Sequence, residues 1–166
     1  IGAYTTGILY TQLQIPIIVL LPLSALIAGG FAFLVTSPII HLRGDYLCIV
    51  TIGIGEIVRI TALNNPFGLT KGANGITGIG NPDFGIFSIT TPTQFYYYVW
   101  IIIGLVIIGL INLQKSRVGR AWNYIREDEI AAEANGIDVR HYKLLAFVIG
   151  TALAGAAGNI YGSKMM

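Results

Sequence analysis

The chain has 166 residues, of which 54% are hydrophobic and only 11% are charged, and its mean hydropathy is +0.71. Globular domains carry charge on about a quarter of their residues, so this composition argues against an ordinary soluble fold. It also excludes a disordered tail, a collagen and a basic nucleic-acid-binding domain. The net charge of +2 is too small to indicate an anionic partner.

Hydrophobic segments long enough to cross a membrane follow one another along the chain. A helical span needs about 20 apolar residues, because the hydrocarbon core is about 30 Å thick. In the first half we expect a partial span at about residues 1–11 and complete spans at about 16–36 and 46–63. Because the first span is short and the chain begins at Ile1, we expect a fragment of a longer protein.

The second half predicts two more spans, at about residues 95–113 and 144–162. The earlier one opens with tyrosine and tryptophan side chains, which suit a membrane interface. Small residues recur every four positions in the later one, which predicts a close packing face against another helix. General richness of membrane spans in small residues is the alternative. The recurring residues are Gly150, Ala154, Gly158 and Gly162.

The loops between the predicted spans differ in charge. Loop 65–94 contains one basic residue, Lys71. By the positive-inside rule this loop lies outside, and the basic loop 114–143 is cytoplasmic. Alternation then places the short link 37–45, with Arg43, on the inside as well. The six basic residues of loop 114–143 are Lys115, Arg117, Arg120, Arg126, Arg140 and Lys143.

The basic loop predicts two short helices. In the first, four apolar residues at helical spacing oppose a polar face. The second is predicted over about Asp128 to Asn135, with Asp128 as its N-cap and Gly136 as the residue that ends it. Asp138 then caps the helix that carries the last span. The apolar residues of the first helix are Val118, Ala121, Trp122 and Ile125.

A helix as short as the second one is marginal alone in water, so it must dock on something. We expect its apolar residues to face its own bundle and its acidic residues to face a cytosolic partner. A solvated connecting helix without a partner is the alternative. The apolar set is Ile130, Ala131 and Ala134, and the acidic set is Glu127, Glu129 and Glu133.

Glu56 and Arg59 are ionisable residues inside a predicted span. They lie three apart, so they can meet on one helix face. Ionisable residues in spans are expensive and become functional candidates by default. An amino acid is a zwitterion whose carboxylate suits Arg59 and whose ammonium suits Glu56, which makes both candidates for the substrate path. The alternative is a structural pair near the outer end, with Arg59 reaching toward the interface.

Three ordered groups of motifs resemble the permease subunits of bacterial branched-chain amino acid ABC transporters. The resemblance covers about residues 43–161, most of the chain. The motifs occupy residues 42–47, 49–51 and 55–59, then 69–76, then 116–122, 125–137 and 142–147.

The resemblance implies an all-α integral membrane protein, a multi-span helical bundle of an ABC importer permease, in the bacterial cell (inner) membrane. Its function would be ATP-driven import of branched-chain amino acids. The implied partners are ATP-binding cassette subunits, a second permease subunit, a periplasmic or extracellular amino acid-binding protein and membrane lipid, with no nucleic acid.

The family also implies a coupling loop that docks into a cleft on the ATP-binding subunit and transmits its closure to the spans. The loop has the form Glu-Ala-Ala, three residues, Gly, which Ala131, Ala132 and Gly136 match. Ile130 stands at the leading Glu position, with Glu129 one residue earlier. The segment assigned to coupling comprises Glu127, Asp128, Glu129, Ile130, Ala131, Ala132, Glu133 and Gly136.

The sequence contains no Walker A motif, no metal-ligand spacing and no trio of nucleophile, base and orienting residue. We therefore expect a transport subunit without catalytic residues, cofactors or a metal, with ATP hydrolysis on a separate subunit. A secondary amino acid transporter driven by an ion gradient is the alternative function. It would explain the ionisable residues of span 46–63 but not the capped helix of loop 114–143.

Overall fold

The computed structural model describes residues 1–42, 45–72, 75–76 and 91–165. Within these ranges the regular structure consists of seven α-helices and a short 3-10 turn at Pro66–Gly68, with no strand, which confirms the all-α fold class. The helices are α1 (Gly2–Leu13), α2 (Ile17–Thr36), α3 (Asp45–Leu63), α4 (Pro92–Lys115), α5 (Arg117–Glu127), α6 (Glu129–Ala134) and α7 (Val139–Met165).

Four helices of the described part are long and apolar enough to cross a membrane. They lie where the four complete spans were predicted, in α2, α3, α4 and α7. α4 begins earlier than expected because Thr91 and Gln94 form a capping box around Pro92 at the first helical position. α1, with 12 residues, is not one of the four, and a partial span there stays a prediction.

The chain divides into two compact units. Unit 1 comprises the described residues of Ile1–Ile89 and Val148–Met166, and unit 2 comprises Thr90–Phe147. α7 therefore contributes its first residues to unit 2 and the rest to unit 1.

Unit 1 is held together by close approach of α1, α2 and the later part of α7. A Cβ atom built on Gly155 would lie 2.7 Å from the carbonyl oxygen of Ser24 in α2. A Cβ atom built on Gly2 in α1 would overlap the carbonyl of Gly155. On the next two turns, Gly158 and Gly162 both lie against Ala3. Small residues thus allow backbones to meet, as membrane helices require.

Two of the four residues in the predicted stripe of small residues pack within this chain. Gly158 and Gly162 pack on α1, but Gly150 and Ala154 are exposed, and Gly155 occupies the packed face instead. A helix turns about 100° per residue, so positions four apart drift by about 40° at each step. Over the whole stripe the drift reaches about 120°, which carries its first members away from the contact.

Polar and apolar groups both lie in the interior of unit 1. Asn159 and Thr6 are fully buried, and Asn159 Nδ2 donates a hydrogen bond of 2.9 Å to Thr6 Oγ1. Ile76, also buried, packs with Ile17 and lies close to Gly7. Ile76, which follows α3 in sequence, therefore packs against α1 and the start of α2.

Candidate functional site

The turn from α4 to α5 is tight and specified by two small residues. Ser116 is the N-cap of α5, and its hydroxyl oxygen accepts hydrogen bonds from the amides of Val118 and Gly119 at 3.2 and 3.5 Å. A Cβ atom on Gly119 would overlap the carbonyl of Gln114. α5 therefore begins immediately after α4 only because position 119 carries no side chain.

α5 is amphipathic, as its spacing predicts. Ala121 is buried, while Val118, Trp122 and Ile125 are half-buried. The indole Nε1 of Trp122 donates a hydrogen bond of 2.8 Å to the carbonyl oxygen of Tyr142 in α7. The apolar face of α5 is thereby fixed against the start of α7.

Both ends of α6 are closed by local hydrogen bonds, as predicted from Asp128 and Gly136. Asp128 Oδ1 accepts from the amides of Ile130 and Ala131 at 2.9 and 3.0 Å. Gly136 adopts a left-handed conformation with a φ of +79°. Its amide and that of Ile137 bond back to the carbonyls of Glu133 and Ala132, which completes a Schellman motif.

The predicted orientation of α6 is wrong. Ile130 is 69% exposed, and Ala131 and Ala134 are exposed too, so the apolar set does not pack on the described helices of this chain. The buried residue is Ala132, which is 3% exposed. The reason is local: the Schellman turn brings the chain at Ile137 back beside Ala132, which turns the neighbouring apolar residues outward.

Glu129, predicted to face a partner, instead forms an ion pair within the chain. Its Oε1 lies 2.6 Å from Nζ of Lys143 in α7. The N-cap of α7 lies close by in sequence, where Asp138 Oδ1 accepts from the amide of His141 at 3.0 Å, as predicted. Among the acidic residues of the segment, Glu127 and Glu133 are exposed.

A groove of about 420 Å³ lies between the end of α5 and α6. An exposed helix bearing Ile130 next to such a groove is a surface suited to a second protein rather than to a small polar ligand. The groove is lined by Tyr124, Glu127, Asp128, Ala131, Ala132, Asn135 and Ile137.

Unit 1 holds the second candidate site. Arg59 binds Glu56 through two hydrogen bonds, 2.9 Å from Nε to Oε2 and 2.6 Å from Nη2 to Oε1, so the predicted pair forms. Both side chains are exposed within this chain. Arg59 also lines a mainly apolar cavity of about 640 Å³, together with Tyr4, Ile8 and Phe31. This places a guanidinium beside a space of aliphatic and aromatic character.

Comparison with known proteins yields a match over nearly the whole chain. The family described as "branched-chain amino acid transport system / permease component" matches residues 1–165. The chain belongs to this family. Membership makes it a transport component and not an enzyme, and confirms the predicted family, the membrane location and the multi-span helical class.

The curated relatives are permeases of the same kind. LivM of Escherichia coli K12, a high-affinity branched-chain amino acid transport system permease protein, is 39% identical over 99% of this chain and 44% of its own length. A probable branched-chain amino acid transport permease of Methanocaldococcus jannaschii is 27% identical over 86% of this chain and 42% of its own. LivH of E. coli K12 is 34% identical over 60% of this chain and 35% of its own.

This family member spans less than half the length of the LivM relatives that it matches. No solved structure gives a significant match to it.

Sequence reasoning missed three groups that shape the site. The cap at Ser116 was readable, because serine before an apolar-periodic segment is an N-cap signal. The bonds of Trp122 and Lys143 to α7 and α6 join residues far apart in sequence and leave no local pattern. Some predicted features lie outside the described residues: Arg43 and Gly44 of the inner link, and 73–74 and 77–90 of the outer loop.

Proposed function

We propose that this chain forms part of the permease of an ATP-driven importer of branched-chain amino acids, and that α6 docks on its ATP-binding subunit. The observation that carries the proposal is the outward-facing apolar surface of α6. A capped helix that leaves Ile130 and Ala134 in solvent has its apolar residues available to a partner. The name of the E. coli relative supports the substrate class.

The acidic side chains around α6 indicate what charge the partner surface would carry. Glu129 is engaged by Lys143, whereas Glu127 and Glu133 are exposed and have no ion pair in the described part of the chain. A complementary surface would therefore offer an apolar recess for Ile130 with basic groups around its rim. Such an arrangement of apolar centre and polar rim is typical of specific protein interfaces.

The mechanism we propose is alternating access. An external binding protein delivers the amino acid, ATP closes the cytosolic ATPase dimer, and residues 127–136 transmit that closure to the spans. A second permease subunit completes the pathway, either a copy of this chain or a similar one. The match to LivH as well as LivM is in keeping with a pair of related subunits.

The docking surface is tested by adding one charge at two places. Ile130→Glu inserts a carboxylate at the centre of the proposed contact, whereas Asn123→Glu adds the same charge on the exposed face of α5. In the full-length permease, we expect Ile130→Glu to abolish co-purification of the ATP-binding subunit and Asn123→Glu to preserve it. Co-purification of a stoichiometric amount of the ATP-binding subunit with the Ile130→Glu permease would contradict the proposal.

We also propose that the substrate path passes Glu56 and Arg59. The apolar cavity beside Arg59 suits an aliphatic side chain, and the guanidinium suits the carboxylate of the same molecule. Binding would require the carboxylate of the substrate to replace that of Glu56 on Arg59.

Variants in which glutamine replaces Arg59 or Glu56 test whether the substrate path passes this pair. Arg59→Gln should reduce uptake at least tenfold through a raised KM, and Glu56→Gln should reduce it less, since it leaves the guanidinium in place. Arg117→Gln, which removes an exposed arginine from unit 2, serves as the control. Unchanged uptake and unchanged substrate-stimulated ATPase in both variants would exclude this path.

A further inference from the structure

We infer that Lys143 and Trp122 are positioning residues that fasten α6 and α5 to the first turns of α7, so that a displacement of α6 carries α7 with it. The inference rests on the proposed docking of α6 on an ATP-binding subunit. It concerns how a displacement of α6 is transmitted to a membrane helix, and not what causes that displacement.

Two polar links reach neighbouring positions on α7. The ammonium of Lys143 lies 2.6 Å from the Glu129 carboxylate at the start of α6. One residue earlier, the carbonyl oxygen of Tyr142 accepts the indole hydrogen bond of Trp122 from α5, at 2.8 Å. Two different helices are therefore bound to one short stretch of α7.

The ion pair is not an ordinary surface pair. The side chain of Lys143 is only 23% exposed, and that of Glu129 is 43% exposed. Partial burial weakens screening by water and salt, so a charge-assisted bond here is stronger than its exposed counterpart. Its partners are separated by 14 residues, so the pair fixes tertiary position and not a single helix.

The geometry explains why such links are needed. α6 has six residues and is closed at both ends by its own caps, so contacts outside the helix determine its position. The chain from Asn135 to Asp138 connects it to α7 and contains Gly136 in a left-handed conformation. Without the Lys143 and Trp122 bonds, a load on Ile130 would turn α6 about this connection instead of moving α7.

Docking and transmission thus fall on opposite sides of α6. Ile130 and Ala134 lie on the outward surface, while Glu129 reaches α7 on the inward one. Variants of the inward links should therefore spare assembly with the ATPase and its basal hydrolysis. They should reduce the number of substrate molecules transported per ATP.

The test uses the full transporter in proteoliposomes. Lys143→Gln and Trp122→Phe should each retain the ATP-binding subunit and basal ATPase, with transport per ATP lowered about three- to tenfold. Lys143→Arg, which can still bind the carboxylate, should restore most of the coupling. Arg140→Gln, which removes an exposed charge from the same helix, should match the wild type.

A double variant separates a specific link from general destabilisation. If the pair acts as a unit, Glu129→Gln with Lys143→Gln should be no worse than either change alone. Additive losses, failure of Lys143→Arg to restore coupling, or loss of the ATPase from Lys143→Gln would each overturn the inference. A wild type without ATP-dependent transport would refute the proposed function instead, so the two failures are distinguishable.

Discussion

The two units of the chain fix their helices by different physical means. In unit 1, α1, α2 and the later part of α7 approach closely because glycine and alanine leave room for backbone contact. In unit 2, α5, α6 and the start of α7 are fixed by caps and by polar bonds between helices. Small residues that allow backbone contact dominate in unit 1, whereas caps and polar bonds between helices dominate in unit 2.

This difference predicts how each region fails. Unit 1 should be most sensitive to atoms added at the glycine contacts between α1, α2 and α7. Unit 2 should be destabilised when a single oxygen or nitrogen is removed, or when a backbone conformation is forbidden. Three sets of variants examine this contrast, beginning with the largest effect.

Gly155→Leu should be the most damaging change. Its side chain would meet the backbone of Ser24 and the Cβ of Ala28, which a first added carbon would already approach to 2.5 Å. Overpacking typically costs about 1–3 kcal/mol, and contact with backbone puts this site at the upper end. Gly150→Leu, where no atom lies within 4 Å, is the matched control. Thermal aggregation in detergent measures both, and equal midpoints would show that the α7 contact is misplaced.

Gly136→Val should have an intermediate effect. The left-handed conformation of this residue costs a side-chain-bearing residue about 1–2 kcal/mol, and a β-branched side chain is among the least suited to it. Gly136→Asn should cost much less, because asparagine tolerates that conformation. Substrate-stimulated ATPase should fall in the first variant and persist in the second. Equal substrate-stimulated ATPase activity in the two variants would show that coupling does not depend on the Schellman turn.

Asp128→Ala should have the smallest effect of the three. It removes the carboxylate that accepts from the amides of Ile130 and Ala131, and loss of an N-cap costs about 1 kcal/mol. Asp128→Asn keeps an acceptor and should stay near the wild type. Hydrogen exchange should show faster exchange at these two amides in the alanine variant only. Unchanged protection would indicate that neighbouring contacts, not the cap, hold the first turn of α6.

Much of unit 2 was predictable because its signals are local. Asp128, Gly136 and Asp138 each act on amides or carbonyls within a few residues, so the sequence is sufficient to place the ends of α6 and the start of α7. The positions of the long apolar helices were predictable for a similar reason, since runs of apolar residues mark them in the sequence.

Features set by tertiary contacts, or by departures from a simple repeat, were not predictable. The outward orientation of Ile130 follows from the local return of the chain at Ile137 to Ala132, which no periodicity expresses. Gly155 was missed because a four-residue repeat does not follow one face of a helix for long. In the sequence, Lys143 is one of the six basic residues of loop 114–143. Its ion pair with Glu129 is visible only in the structure.

The central claim is that α6 faces the cytosol and is covered by the ATP-binding subunit. Cys48 is the single cysteine of these 166 residues. Ala134→Cys, with Cys48 and any cysteine outside this segment replaced by serine, gives one reporter on the exposed side of α6. A membrane-impermeant maleimide should label it in inverted vesicles stripped of the ATP-binding subunit, and rebinding of that subunit should protect it. Labelling from the outside of intact spheroplasts, or labelling that the subunit does not change, would contradict the claim.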